Sequence, residues 1–211
     1  YGACGIPFQA DMKYANQITH AVTSAIRSMG GVDVLINNAS TLYLTRDTPV
    51  KHLDLMYQIN TRATLLTTQT CRAALSESNV GSIVTLSPPL RTGRLEWISA
   101  HPAYTISKYS MTLAALSEAS SCVRSNCIWP RYTVATSATR RMEAEMDIDG
   151  AYSRGRTADE FAEAVYSLST SKQYNACTLF DDEVMNMSKC SAPLDLFAIE
   201  DVTSYCPPIA S

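Results

Sequence analysis

The amino-acid sequence predicts an α/β fold organised as a doubly wound parallel sheet. Three observations lead to it. Short apolar runs alternate with longer stretches of helical periodicity, one run (Val32 to Ile36) is apolar apart from Asp33, and Gly, Pro or Asn punctuates the segments. That alternation is the pattern of βαβ units, and a strand covered by helices on both faces reads as a continuous apolar run.

Taken in order, Gly5 to Ala10 reads as a short strand ending at Asp11. Tyr14 to Met29 reads as a helix, because Ile18, Val22, Ala25, Ile26 and Met29 recur at helical spacing. Gly30-Gly31 closes it, since glycine accepts the left-handed cap conformation. Val32 to Ile36 is a strand expected to be buried on both faces, and Leu53 to Leu75 the next long helix, punctuated by Asn79 and Gly81. Ser82 to Ser87 is a strand that Pro88-Pro89 stops, and a loop follows to about Pro102. Ala103 to Ala119 is a helix, and Ser125 to Trp129 a strand stopped by Pro130. Thr157 to Leu168 is a helix with Thr157 and Glu160 at capping-box spacing, and Asn175 to Phe180 is the last strand. The expectation is one domain over 1–184 and an irregular tail over 185–211.

The 211 residues suffice for a single core, and 46% hydrophobic against 18% charged composition indicates a globular chain. A net charge of -3 gives no basic footprint, so nucleic acid is not an expected partner. No apolar run approaches the roughly 20 residues of a membrane span. The seven cysteines form no CxxC pair and have no histidine at ligand spacing, so no metal site is expected. Their odd number and scatter suit reduced thiols inside the cell, in the cytoplasm or an organelle such as a peroxisome or mitochondrion. The last residues, Ile209-Ala210-Ser211, are not a Ser-Lys-Leu peroxisomal signal. The chain opens on Tyr1 and runs directly into Gly2 to Phe8, so earlier residues are expected in the natural protein.

Chemistry concentrates in Tyr104-Thr105-Ile106-Ser107-Lys108. Residues four apart share a helical face, and an ammonium beside a phenol favours the phenolate, which would pull the tyrosine toward working pH. Such a tyrosine can exchange a proton with a carbonyl or alcohol oxygen; the plain alternative is a surface pair on an amphipathic helix. Asn37-Asn38-Ala39-Ser40 follows a buried strand, where ligands bind in open α/β sheets, although asparagines also make ordinary turns. Asn60 lies inside an apolar helix, where asparagine is unfavourable unless something local rewards it.

These segments together resemble the short-chain dehydrogenase/reductase family, over about Gly5 to Val184. Asn37-Asn38-Ala39-Ser40 resembles the family's Asn-Asn-Ala-Gly, Asn60 its helix asparagine, Gly81 to Ser87 its serine-bearing strand, Tyr104 and Lys108 its signature pair, and Asp11 the acidic residue at the adenine end of the cofactor. Leu86-Ser87-Pro88-Pro89-Leu90, His101 to Tyr109 and Ile128-Trp129-Pro130-Arg131 resemble the hydroxysteroid dehydrogenase-like branch. The resemblance implies a Rossmann-like fold and an NAD(P)-dependent oxidoreductase, with NADP or NAD as cofactor. It also implies a small carbonyl or alcohol substrate and a homo-oligomer formed through the helices beginning near Leu53 and Ala103.

By resemblance, Tyr104 passes the proton, Lys108 tunes it and holds the nicotinamide ribose, and Asn60 holds a relay water through its helix backbone. Asp11, Asn37, Asn38, Ala39, Ser40, Pro130, Arg131 and Thr133 face the cofactor. Ser87 has two readings, because it lies 17 residues before Tyr104 and Pro88 falls where the family's catalytic serine stands. Arg131, where the family has Gly, is either a charge near the cofactor or surface cover. None of the eight glycines forms the family's Gly-rich phosphate loop, so the N-terminal βαβα portion is expected to be missing. A second reading is therefore a non-catalytic module of the same fold in a larger assembly. Leu95, Trp97, Ile98 and the stretch 136–156 are expected over the pocket, where their apolar character suits a lipid-like substrate, or else ordinary packing.

Overall fold

The computed structural model describes residues 4–90, 95–146 and 155–185. Its sheet has four parallel strands in sequence order: β1 (Val34–Asn37), β2 (Ser82–Leu86), β3 (Arg124–Trp129) and β4 (Thr178–Phe180). The helices are α1 (Ala15–Met29), α2 (Val50–Met56), α3 (Ala63–Glu77), α4 (Leu95–Ala100), α5 (Pro102–Leu116), α6 (Ser137–Met146), α7 (Ala158–Thr170) and α8 (Asp181–Met185). A π-helical turn, Tyr57–Arg62, joins α2 to α3.

The doubly wound arrangement is visible in two consecutive residues of β2. Ile83 packs with Cys71 and Leu75 of α3, whereas Val84 packs with Phe161, Ala164, Val165 and Leu168 of α7. Successive strand side chains point to opposite faces, so helices cover both sides of the sheet centre. The cap expectations hold: Gly30 ends α1 with φ 79°, and Thr157 and Glu160 form the capping box of α7. Gly81 is required by space, because a Cβ there would lie 2.3 Å from the Leu75 carbonyl oxygen.

Four expectations are corrected. Gly5 to Ala10 is not a strand: among the described residues β1 pairs only with β2, and none supplies this segment with a backbone ladder. Val32 to Ile36 is not buried on both faces, since Val34 and Ile36 stay 37% and 47% exposed on the sheet edge while Leu35 packs toward α3. The Leu53 to Leu75 helix carries the π turn, and the loop before Pro102 contains α4. The tail lies outside the described residues except Met185, which closes α8.

The five described cysteines are free thiols, and Cys190 and Cys206 lie outside the described residues. Among the described residues no helix is long and apolar enough to cross a membrane.

Candidate active site

The C-terminal ends of β1, β2 and β3 converge with the π turn and the start of α5. Asn60, 0% exposed, explains its place in a helix by its hydrogen bonds. Its Oδ1 accepts from the Thr41 N–H at 2.7 Å, and its Nδ2 donates to the Thr41 carbonyl at 2.8 Å and to Ser107 Oγ at 2.9 Å. Ser107 Oγ in turn donates to the Tyr104 carbonyl at 2.8 Å. The wider π turn brings successive side chains closer in direction, so Thr61 also reaches α5, at Ser110 Oγ. The Asn60 carbonyl accepts from Thr64 Oγ1 at 2.7 Å.

Lys108 is 3% exposed. Its Nζ donates to the Leu86 carbonyl at 2.8 Å, lies 3.4 Å from Met111 Sδ, and stands 5.2 Å from the centre of the Trp129 ring. Burial, with no carboxylate partner among the described residues, brings its pKa from 10.5 down to about 7. Tyr104 shares its helical face, but no hydrogen bond joins the two side chains among the described residues. The expected lowering of the phenol is overturned in this arrangement. Burial pushes Tyr104 up to about 12, because the ammonium points to Leu86 and Trp129 and does not offset desolvation.

The remaining residues divide. Asn38 and Ala39 line a small cleft of about 70 Å³ with Met12, Ile36, Asn37, Ile59, Ala63, Thr64 and Thr67. Ser40 is exposed beyond it at the strand end. The Asn37 amide faces inward and donates to Thr68 Oγ1 at 3.1 Å and Thr85 Oγ1 at 3.2 Å, tying β1 to α3 and β2. Asp11 accepts from the Lys13 N–H at 2.9 Å and pairs with its ammonium at 3.1 Å, an interaction that lowers its pKa. Arg131 pairs with Asp182 and lies 4.0 Å over the Phe180 ring, which supports the surface-cover reading. Pro130 is half-buried at the end of β3, and the Thr133 carbonyl accepts from the Arg156 N–H at 2.8 Å. Ser87 is fully buried with its hydroxyl against the Cys127 thiol; burial pushes that thiol up to about 12, and the Ser87 hydroxyl opposes the rise.

With this geometry in view, a short chain dehydrogenase family model matches residues 2–147. The chain belongs to that family. It is similar to hydroxysteroid dehydrogenase-like protein 2 of Xenopus tropicalis, at 36% identity over 94% of this chain and 48% of the relative. The mouse protein of the same name is 36% identical over 87% of this chain and 38% of its own length. A solved short chain dehydrogenase from Mycobacterium thermoresistibile is similar at 31% identity and TM-score 0.71, covering 86% of this chain and 65% of that one. The chain therefore spans less than half the length of these curated relatives.

Membership makes this an oxidoreductase family chain and implies a nicotinamide cofactor. The residues present fit part of such a group. Thr67 Oγ1, lining the cleft at the end of β1, is a buried hydroxyl without a partner. A cleft of about 70 Å³ is well below the roughly 300 Å³ of a small-ligand pocket, so it suits a fragment of a dinucleotide. A Gly-rich phosphate cradle is not part of this sequence.

Sequence reading did not single out Thr41 or Met111, and it took Ser107 and Trp129 only as parts of matching segments. No local signal marks them, since the Asn60 contacts join residues 19 and 47 positions apart.

Proposed function

We propose that this chain carries the proton-transfer portion of an NAD- or NADP-dependent oxidoreductase that interconverts a carbonyl and an alcohol by hydride transfer. The observation that carries this reading is the buried seam from Thr41 through Asn60 to Ser107, inside the Tyr104–Lys108 segment. A fully satisfied polar network rigidifies what it joins, here the first turn of α5.

The nicotinamide, when bound, supplies or accepts the hydride. Tyr104, with its pKa near 12, stays protonated over the physiological range and is suited to give its proton to a carbonyl oxygen as charge develops there. For the reverse reaction, a charged Lys108 turned toward Tyr104 would favour the phenolate. Asn60 holds the helix that presents both residues. Ser87 is proposed to polarise the substrate oxygen, on the ground that it directly follows Leu86, whose carbonyl holds the Lys108 ammonium. Asn38, Ala39, Thr67 and Lys108 are the residues proposed to hold the cofactor. Leu95, Trp97 and Tyr132, all exposed, support an apolar substrate class. Exposed Leu53, Ile106 and Leu113 support helix-mediated homo-oligomers.

The test is titration of the full-length protein with NADH and NADPH by nicotinamide fluorescence, with turnover of carbonyl substrates followed in parallel. Tyr104→Phe should lower turnover by roughly 100-fold or more with little change in cofactor affinity. Absence of binding to either nucleotide ends the proposal.

A further inference from the structure

We propose that Trp129 is a positioning residue for Lys108: its indole face holds the buried ammonium at the ends of β2 and β3, one helical turn from Tyr104. The inference deepens the proposed function and rests on Lys108 belonging to that site. A lysine ammonium has three protons to place. The Leu86 carbonyl takes one at 2.8 Å, and Met111 Sδ at 3.4 Å offers a weak second acceptor. Among the described residues no carboxylate pairs with it. What remains is the Trp129 ring, whose centre at 5.2 Å is within the range of an attractive cation–π contact. Trp129 is the last residue of β3, so the strand fixes the ring where the helix delivers the amine.

The groups facing Lys108 leave its charge isolated. Cys127 on β3 and Tyr104 on its own helix are both pushed up to about 12 by burial, so neither ionises near neutrality. Leu86 of β2 contributes only a carbonyl, and Met111 of α5 only a thioether. Lys108 itself, brought to about 7, is the group that changes charge there. Removing the indole face removes one of the few interactions that favour the charged form.

This segment contains two tryptophans, Trp97 and Trp129, so Trp97→Phe, with any tryptophan outside the segment replaced by Phe as well, leaves Trp129 as the one emitter under selective tryptophan excitation. In the full-length protein with those substitutions and no cofactor, Trp129 emission should change in one step between pH 5 and 9. The midpoint should lie near pH 7. Both Lys108→Met and Lys108→Arg should remove the step, the first having no charge and the second keeping it throughout. A flat profile in Trp97→Phe, or a step that survives Lys108→Met, overturns the proposal.

NADPH binding adds the positioning readout. Trp129→Leu should move the pH midpoint of binding down by about one unit, and Trp129→Phe should recover at least half of that. An unmoved midpoint in Trp129→Leu overturns the positioning role. If the emission step is present but neither NADH nor NADPH binds, the Trp129–Lys108 contact stands and the oxidoreductase reading fails.

Discussion

Replacing Lys108 with Met should change how folding stability responds to pH. The ammonium is 3% exposed and has no carboxylate partner among the described residues, and burial brings its pKa from 10.5 to about 7. The unfolded chain therefore binds this proton more tightly than the folded one. Between about pH 7 and 10.5 the unfolded state holds more protons, so wild-type stability rises with pH across that window; below pH 7 the full burial penalty applies. At about 1.4 kcal/mol per pH unit, the penalty is of order 5 kcal/mol at low pH, and roughly 3 kcal/mol of it disappears between pH 6 and 9.5. Lys108→Met lacks this dependence, while groups titrating elsewhere cancel in the comparison. The Leu86 carbonyl loses its donor in the variant, a cost of about 1–3 kcal/mol at either pH. Urea unfolding of both proteins at pH 6 and 9.5 measures the difference. The variant should gain relative to wild type at pH 6 and give back on the order of 3 kcal/mol by pH 9.5. A difference that stays constant over this range refutes the reasoning, because Lys108 would then keep its ordinary affinity for a proton.

Three further outcomes are expected. Asn60→Ala removes all three side-chain hydrogen bonds of the seam and leaves Thr41 and Ser107 short of partners, so urea unfolding should show a loss of about 2–4 kcal/mol. Gly81→Ala puts a methyl group 2.3 Å from the Leu75 carbonyl oxygen and 3.3 Å from that of Cys122. Both neighbours are backbone, so a loss of about 2–3 kcal/mol should appear as a lower urea midpoint. Thr157→Ala breaks the α7 capping box and should cost about 1 kcal/mol, read as a fall of roughly 2–4 °C in the thermal midpoint.

The sequence by itself determined the fold class, the strands that form β1 to β4, the helices α1, α5 and α7 and the residues of the Tyr104–Lys108 segment, because these depend on local periodicity, caps and short motifs. Thr157 with Glu160 and Gly30 could be read this way, since a cap is settled within one turn of its helix. Tertiary structure decided what lies between segments. Strand exposure is one case: Val34 and Ile36 read as core until the sheet order puts β1 at an edge, and burial on a second face depends on a neighbour that periodicity does not contain. The direction of Lys108 is another. Spacing pairs it with Tyr104, but the ammonium goes to the Leu86 carbonyl and the Trp129 ring, so both side chains are governed by desolvation. Asn60 is the last, its three bonds made to residues far along the chain, where only packing in three dimensions brings donor and acceptor together.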